Sequence, residues 1–170
     1  MSTTNDSTLY LTGERLKFVP KPPTGADKDG PTHKLLWRRS YSIEEKDKML
    51  KIDLGNGCRR KCLRIMKALL HHETSLKTLT TYYLKTTLFR LCDEKKEGWG
   101  QQDLVPRLLD LMESLESYLS TREMPHYYVP SINLLKDINE AALNNSRDRL
   151  RGLRTSEVKF KKALQRDSKL

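Results

Sequence analysis

The sequence predicts a mainly α-helical fold, a helical bundle preceded by a short extended segment. Three observations support this prediction. Apolar residues recur at intervals of three and four in several long stretches, which is typical of amphipathic helices. A loop rich in Pro and Gly over residues 20–31 separates these stretches from the N-terminal segment. The chain has 170 residues, 36% of them hydrophobic, which is enough for one domain with a buried core.

The N-terminal part is predicted to be extended and then to enter a helix. An extended stretch is expected from Leu9 to Val19, before the loop. After an apolar and aromatic stretch, Ser42 fits a helix N-cap, and Glu45 three residues later would complete a capping box. A short helix is therefore expected over residues 43–50.

The central part is predicted to form three amphipathic helices, over residues 58–72, 80–92 and 101–119. The first is the clearest, and its buried face is expected to hold Cys58, Cys62, Ile65, Met66 and Leu69. Another helix is expected over residues 135–144. The predicted domains are a disordered lead-in (1–9), a helical domain (10–145) and a basic tail (146–170) that is a surface helix or partly disordered.

The composition indicates an intracellular protein that binds polyanions. The formal net charge is +10 and the isoelectric point is near 9.6, which favours nucleic acid or nucleotides as partners over a merely soluble basic surface. Cys58, Cys62 and Cys92 fit free thiols in a reducing compartment. No secretory signal or membrane span is recognisable, so the cytoplasm or nucleus is expected, with no membrane partner.

A row of cations on the helix over residues 58–72 is the most informative feature. Arg60, Arg64, Lys67 and His71 are spaced by four, three and four residues, so they share the face opposite the apolar one. Arg59 and Lys61 flank them. Such a row suits phosphate groups, although an ordinary solvated helix face is the alternative.

No complete catalytic or metal site is recognisable. Cys58 and Cys62 point to the apolar face, and zinc would need two more ligands that the preceding turn lacks, so both are expected in the core. His71 and His72 lack accompanying ligands. The known nucleotide-binding, protease and hydrolase motifs are absent, and no pair of carboxylates stands where it could hold magnesium.

Five segments, in chain order, carry a resemblance to a known family. They are FVPK (Phe18–Lys21), WRRSYSIEEK (Trp37–Lys46), CRRKCLRIMK (Cys58–Lys67), TYYLKT (Thr81–Thr86) and PHYYVPSINLL (Pro125–Leu135). Over residues 16–135 the chain resembles the C-terminal half of the Mab-21 family, which includes cyclic GMP-AMP synthase and the cyclic GMP-AMP synthase-like receptors. Trp99 also fits. The resemblance implies a lobe of the helix-hairpin-helix/two-turn-helix type.

The resemblance also implies a role in nucleotidyl transfer. In the family, the N-terminal lobe holds the Mg²⁺ carboxylates, and the helical lobe helps to bind nucleoside triphosphates and double-stranded RNA or DNA. The positions that match the nucleotide-binding residues are Lys21, Arg38, Ser40, Ser42, Glu45, Lys67, Thr81, Tyr82 and Lys85. The positions that match the nucleic-acid-binding surface are Lys46, Arg60, Lys61 and Arg64.

Three departures from the family pattern qualify these expectations. The vertebrate DNA sensor has a zinc-binding insert before the helix at Cys58, whereas this sequence has a short stretch without ligands, so no zinc is expected. Thr81-Tyr82 stands where the sensor has Ser-Tyr. The catalytic lobe is not recognisable, so catalysis by this chain is uncertain. The alternatives are a non-catalytic Mab-21-like developmental or scaffold protein, and a fragment that binds nucleic acid by itself.

Overall fold

The computed structural model is mainly helical, as the sequence predicts. It describes residues 8–11, 14–20, 37–52 and 57–165. The chain divides into two compact units, an N-terminal unit over Met1–Lys51 and a helical unit over Ile52–Leu170. This division falls inside the predicted helical domain, which was expected to run from residue 10 to residue 145.

The residues of the N-terminal unit that the structure describes form a three-stranded antiparallel sheet and one helix. The elements are β1 (Thr8–Leu11), β2 (Glu14–Pro20), β3 (Trp37–Ser40) and α1 (Ser42–Lys51), with the strands in the order β1-β2-β3. The middle strand pairs Lys17 with Thr8 on one side and with Ser40 on the other. The segment that was expected to be extended thus forms two strands, β1 and β2. The third strand, β3, follows the loop in the sequence and pairs with β2. β1 begins inside the predicted lead-in.

The start of α1 differs from the predicted capping box. Ser42 is the first helical residue, and the backbone N–H of Glu45 donates to the carbonyl of Tyr41 at 2.8 Å. The hydroxyl of Ser40 accepts from the N–H of Ser42 at 3.4 Å. The prediction that Ser42 is the N-cap is therefore wrong, because Ser42 already lies in the helix and the hydroxyl that accepts at the helix start belongs to Ser40.

In the described residues 57–165, the helical unit forms five α-helices and two 3₁₀ turns. They are α2 (Arg59–His72), a turn at Thr74–Leu76, α3 (Thr81–Glu94), a turn at Gln101–Asp103, α4 (Leu104–Thr121), α5 (Glu140–Arg154) and α6 (Glu157–Gln165). The three central helices predicted from the sequence are confirmed, with ends shifted by a few residues. The centre of the unit is α4, which packs against α2, α3 and α5.

The core of the helical unit lies mainly between these helices. Its largest fully buried side chains are Phe89, Met66, Leu69, Leu76, Leu84, Leu88, Leu111, Met112, Leu115, Leu119, Met124 and Leu135. The predicted burial of Cys58 and Cys62 is confirmed. Ile65 is only half-buried and Leu63 is buried instead, because α2 packs against α3, α4 and α6 and its covered arc is wider than a single partner would produce.

The C-terminal part is where the prediction fails. The expected helix over residues 135–144 is wrong, because α5 begins only at Glu140. The side-chain oxygen of Asn139 caps it by accepting backbone N–H groups, including that of Ala141 at 2.9 Å. The helix then continues past residue 145 into the predicted basic tail, so much of that tail is packed structure.

Buried carboxylates on other helices explain how this arginine-rich segment packs. Glu116 of α4 is only 7% exposed and accepts from Arg151 at 2.7 Å and from Arg154 at 3.1 Å. Glu73 is also buried, and it accepts from Arg149 at 2.8 Å. The attraction and hydrogen bonds within these pairs offset part of the cost of removing a carboxylate from water.

Candidate nucleic-acid and nucleotide interface

One face of α2 presents the cations that the sequence predicts. We call Arg60, Arg64, Lys67 and His71 the α2 stripe, and all four side chains are exposed. On the opposite face, the side chains of Cys62, Met66 and Leu69 are 0% exposed. The prediction of one cationic and one apolar face is therefore confirmed. The helix contains no Asp or Glu that could neutralise the stripe from within.

The stripe has a regular spacing along the helix. An α-helix rises about 1.5 Å per residue, so the stripe extends over about 16 Å with one basic side chain every 5 Å or so. The positive charge of Arg64 and Lys67 lies at the middle of this row. A linear array of donors on this scale suits several phosphate groups better than one isolated anion.

Arg59 does not belong to this surface, although the sequence places it beside the stripe. Its guanidinium lies over the ring of Trp99, with 4.9 Å between the Cζ atom and the ring centroid. The guanidinium of Arg107 also lies over this ring, at 5.5 Å. We call these three residues the Trp99 clamp. The indole is only 4% exposed, so the contact is largely shielded from water.

The segment around Trp99 holds the beginning of α2. The carbonyl of Trp99 accepts from the backbone N–H of Cys58 at 2.8 Å. The amide of Gln101 donates to the carbonyl of Gly57 at 3.0 Å, and its side-chain oxygen accepts from Lys61. Lys61 is therefore exposed, but its ammonium group is already bonded to Gln101. It would have to give up this bond before it could bind an anion.

A glycine beside Trp99 allows the guanidinium of Arg107 to approach the backbone closely. Gly98 has φ of 71°, and its carbonyl accepts from Nε of Arg107 at 2.7 Å. A Cβ atom at this position would lie 2.7 Å from Nη2 of Arg107. Both the positive φ and the close approach of the guanidinium therefore favour glycine here.

The first turn of α3 carries three of the predicted nucleotide-binding residues. Thr81 is its first residue and is exposed, while Tyr82 and Lys85 are half-exposed. The phenolic oxygen of Tyr82 lies 2.6 Å from Nε2 of His126, and the two ring centroids are 5.3 Å apart. Tyr82 is thus oriented by a residue 44 positions away in the sequence.

His126 is a functional candidate that the sequence analysis did not identify. Its Nδ1 atom accepts the backbone N–H groups of Tyr128 and Val129, both at 3.1 Å. An imidazole nitrogen that accepts hydrogen bonds carries no proton, so the neutral ring has its proton on Nε2 and donates it to Tyr82. Only the aromatic character of the connector was apparent from the sequence.

The other predicted residues belong to the N-terminal unit. Ser40 donates its hydroxyl to that of Ser42 at 3.1 Å, at the junction of β3 and α1. Glu45 is half-exposed and Lys46 is exposed, both on α1. The backbone of Arg38 lies in β3, opposite Val19 of β2. Lys21 lies outside the described residues.

Cys58 and Cys62 are buried thiols of low reactivity. Burial raises the pKa of Cys62 to about 12, and the neighbouring Cys58 contributes to the increase. Burial also raises the pKa of Cys58. The thiol of Cys62 donates to the carbonyl of Leu104 at 3.8 Å. Among the described residues, no three His, Cys, Asp or Glu side chains form a group that could hold a metal ion.

These pKa shifts predict selective alkylation of Cys92, which is half-buried. At pH 8, a thiol with a pKa near 12 has about 1,000-fold less thiolate than an unperturbed thiol, and the thiolate is the nucleophile. With iodoacetamide, we expect intact-mass spectrometry to show one rapid adduct on the folded protein and three adducts in urea. The variant Cys92→Ser should remove the rapid adduct. Three adducts forming at one rate on the folded protein would contradict the assigned burial.

No helix within the described part of the chain is long and apolar enough to cross a membrane.

Comparisons with known proteins agree with the helical unit. The family model described as "Mab-21 protein HhH/H2TH-like domain" matches residues 58–152, a range that begins at Cys58 and contains α2, α3 and α4. The chain is also 29% identical over 153 residues to cyclic GMP-AMP synthase-like receptor 3 of Stylophora pistillata. This alignment covers 87% of the chain but only 45% of the relative, so the chain spans less than half of the relative's length.

Proposed function

Because the chain belongs to the Mab-21 family, we propose that its helical unit is the nucleic-acid- and nucleotide-binding lobe of a cyclic GMP-AMP synthase-like nucleotidyltransferase of innate immunity. In this proposal, a duplex binds the α2 stripe and nucleoside triphosphates bind near the first turn of α3. The protein would act in the cytoplasm or nucleus, where its free thiols are stable.

The α2 stripe carries the proposal. Its cations are exposed along one helix that contains five Lys and Arg residues and no acid. Exposed helix faces usually alternate charges of opposite sign, since such pairs stabilise the helix. A face that holds only cations loses this stabilisation, so an external polyanion is the partner that would compensate it. Binding to a duplex would release counterions from its phosphates and gain free energy in this way.

Two surfaces of the helical unit are proposed to contact nucleotides. Lys67 of the stripe and Lys85 of α3 supply cations for a triphosphate. Tyr82 supplies a ring on which a base can stack, and its contact with His126 fixes the orientation of that ring. Thr81 adds a hydroxyl at the start of α3, where the positive end of the helix dipole favours phosphate oxygens.

Mg²⁺ is expected in the complete enzyme, but the described residues of this chain do not fit it. Mg²⁺ prefers oxygen ligands, commonly one or two carboxylates together with substrate phosphates. No group of three potential ligands is present in the part of the chain that the structure describes. We propose that the metal carboxylates belong to the N-terminal lobe of the family architecture and that the helical unit positions the substrates.

The test is a titration of the protein with duplex RNA and duplex DNA at several salt concentrations, followed by fluorescence anisotropy. If the stripe contacts three or four phosphates, the logarithm of the association constant should fall with log[salt] with a slope of about −3. Binding without salt dependence would exclude phosphate contact and contradict the proposal.

A second measurement separates this function from that of a non-catalytic scaffold. ATP and GTP are titrated against the variant Tyr82→Ala and against wild type. The proposal expects weaker nucleotide binding in the variant, because the stacking surface is lost. A scaffold without a nucleotide site would give no nucleotide binding in either protein.

A further inference from the structure

An open cleft lies at the end of α3, away from the residues considered so far. Its volume is about 610 Å³, and it lies between the last turn of α3 and the connector that precedes α5. We call it the Tyr127–Tyr128 cleft. Its lining residues are Arg90, Asp93, Glu94, Tyr127, Tyr128 and Pro130.

The two tyrosines form a fixed pair of perpendicular aromatic surfaces. Their ring centroids are 4.9 Å apart with an interplanar angle of 89°. Tyr127 also packs edge-on against the buried ring of Phe89 at 5.2 Å. Its hydroxyl donates to the carboxylate of Asp93 at 2.6 Å. The ring of Tyr127 is therefore held at both ends, by a buried aromatic side chain and by a carboxylate.

The connector behind the tyrosines is held in place by side-chain bonds to its backbone. Arg90 donates to the carbonyls of Pro125 at 3.2 Å and His126 at 3.4 Å. The ring of His126 accepts the N–H of Tyr128. These bonds hold the guanidinium of Arg90, which also lines the cleft, against the connector, whereas the side chains of Asp93 and Glu94 are exposed. A site that is ordered before binding loses less entropy when a ligand arrives.

The electrostatics of the cleft differ from those of the chain as a whole. Asp93 and Glu94 are exposed in the last turn of α3, where the negative end of the helix dipole favours a cation. The nearby Lys95 is paired with Asp110 at 2.8 Å. In a protein of net charge +10, this cleft combines two acids with two aromatic surfaces.

We propose that the Tyr127–Tyr128 cleft binds an arginine side chain of a peptide segment of a protein partner. A guanidinium is planar, so it stacks on a tyrosine ring while its edge donates two parallel hydrogen bonds to a carboxylate. Glu94 is the proposed acceptor, beside the carboxylate of Asp93 that Tyr127 holds in place, and Tyr128 offers the ring face. The proposal does not depend on nucleic-acid binding, because the residues of the cleft are separate from the α2 stripe.

The experiment uses the whole chain and the probe peptide acetyl-Gly-Ser-Arg-Ser-Gly-amide, monitored by ¹H–¹⁵N NMR. We expect a dissociation constant of about 0.1–1 mM, which is ordinary for one anchoring side chain. The shifted amide signals should be those of the cleft residues. The variant Asp93→Asn with Glu94→Gln keeps the shapes but removes both charges, and it should bind at least about 10-fold more weakly, the factor that 1.4 kcal/mol produces.

Controls separate a specific site from general charge. The variant Glu97→Gln with Glu123→Gln removes two exposed carboxylates outside the cleft and should bind as wild type does. Tyr127→Phe should weaken binding moderately, since Asp93 loses its orienting bond. A peptide with lysine in place of arginine should bind more weakly. No binding by wild type, equal loss in the control, or equal affinity for the lysine peptide would each overturn the proposal.

Discussion

The double variant Arg60→Glu with Arg64→Glu is expected to lower the affinity for duplex RNA or DNA by on the order of 100-fold at physiological salt, because it replaces two phosphate contacts with two repulsions. The slope of log K against log[salt] should become about two units less steep. Anisotropy titrations at four salt concentrations measure both effects. The fold should persist, since both side chains are exposed on α2.

The matched control is Lys77→Glu with Lys136→Glu. It changes the net charge by the same amount, and both lysines are exposed outside α2. If the control loses as much affinity as the stripe variant, the binding depends only on the total charge. If the stripe variant loses helicity by circular dichroism, the assigned faces of α2 are wrong. A selective loss with intact helicity assigns the duplex to the stripe.

The sequence predicted the central helices well because each has its own amphipathic period. In α2, apolar and basic residues each recur at helical spacing, so the helix and its exposed face follow from spacing alone. The same reasoning predicted the amphipathic helices that the structure shows as α3 and α4, which have Leu88 and Leu111 among their fully buried side chains.

The C-terminal helices could not be predicted in this way. Leu143, Leu150 and Leu153 provide an apolar face for α5, but the surrounding arginines resemble a solvated tail. Their charges are matched by Glu116, which is 35 residues from Arg151 in sequence. A pairing across that distance leaves no pattern in the local sequence. The composition of the arginine-rich segment, taken alone, therefore indicates that it is exposed.

The candidate site was predictable only in part for the same reason. The cations of α2 were found from their spacing, and the resemblance suggested Tyr82. The bond from Tyr82 to His126 crosses between α3 and the connector, and the Trp99 clamp joins three separate segments of the chain. These contacts depend on how the elements pack, which neither periodicity nor turn residues specify.

Replacing the central residue of the clamp should have the largest effect on stability. We expect Trp99→Ala to lower the free energy of unfolding by about 3–5 kcal/mol, because a large buried ring is removed and a cavity remains. Arg59 and Arg107 also lose the aromatic face on which they lie. Urea unfolding followed by circular dichroism measures the change. Val105→Ala, at a side chain that is 64% exposed, should cost less than about 0.5 kcal/mol.

The same substitution also tests whether the clamp positions the stripe. The backbone bond from Cys58 to Trp99 lies one residue before α2, so a disordered loop would release the first helical turn that carries Arg60. At a temperature where the variant remains folded, duplex affinity should fall although the net charge is unchanged. The variant Trp99→Phe keeps an aromatic ring for the two guanidiniums, so it should retain most of the duplex affinity. An affinity equal to wild type in Trp99→Ala would show that α2 holds its cations in place without the clamp.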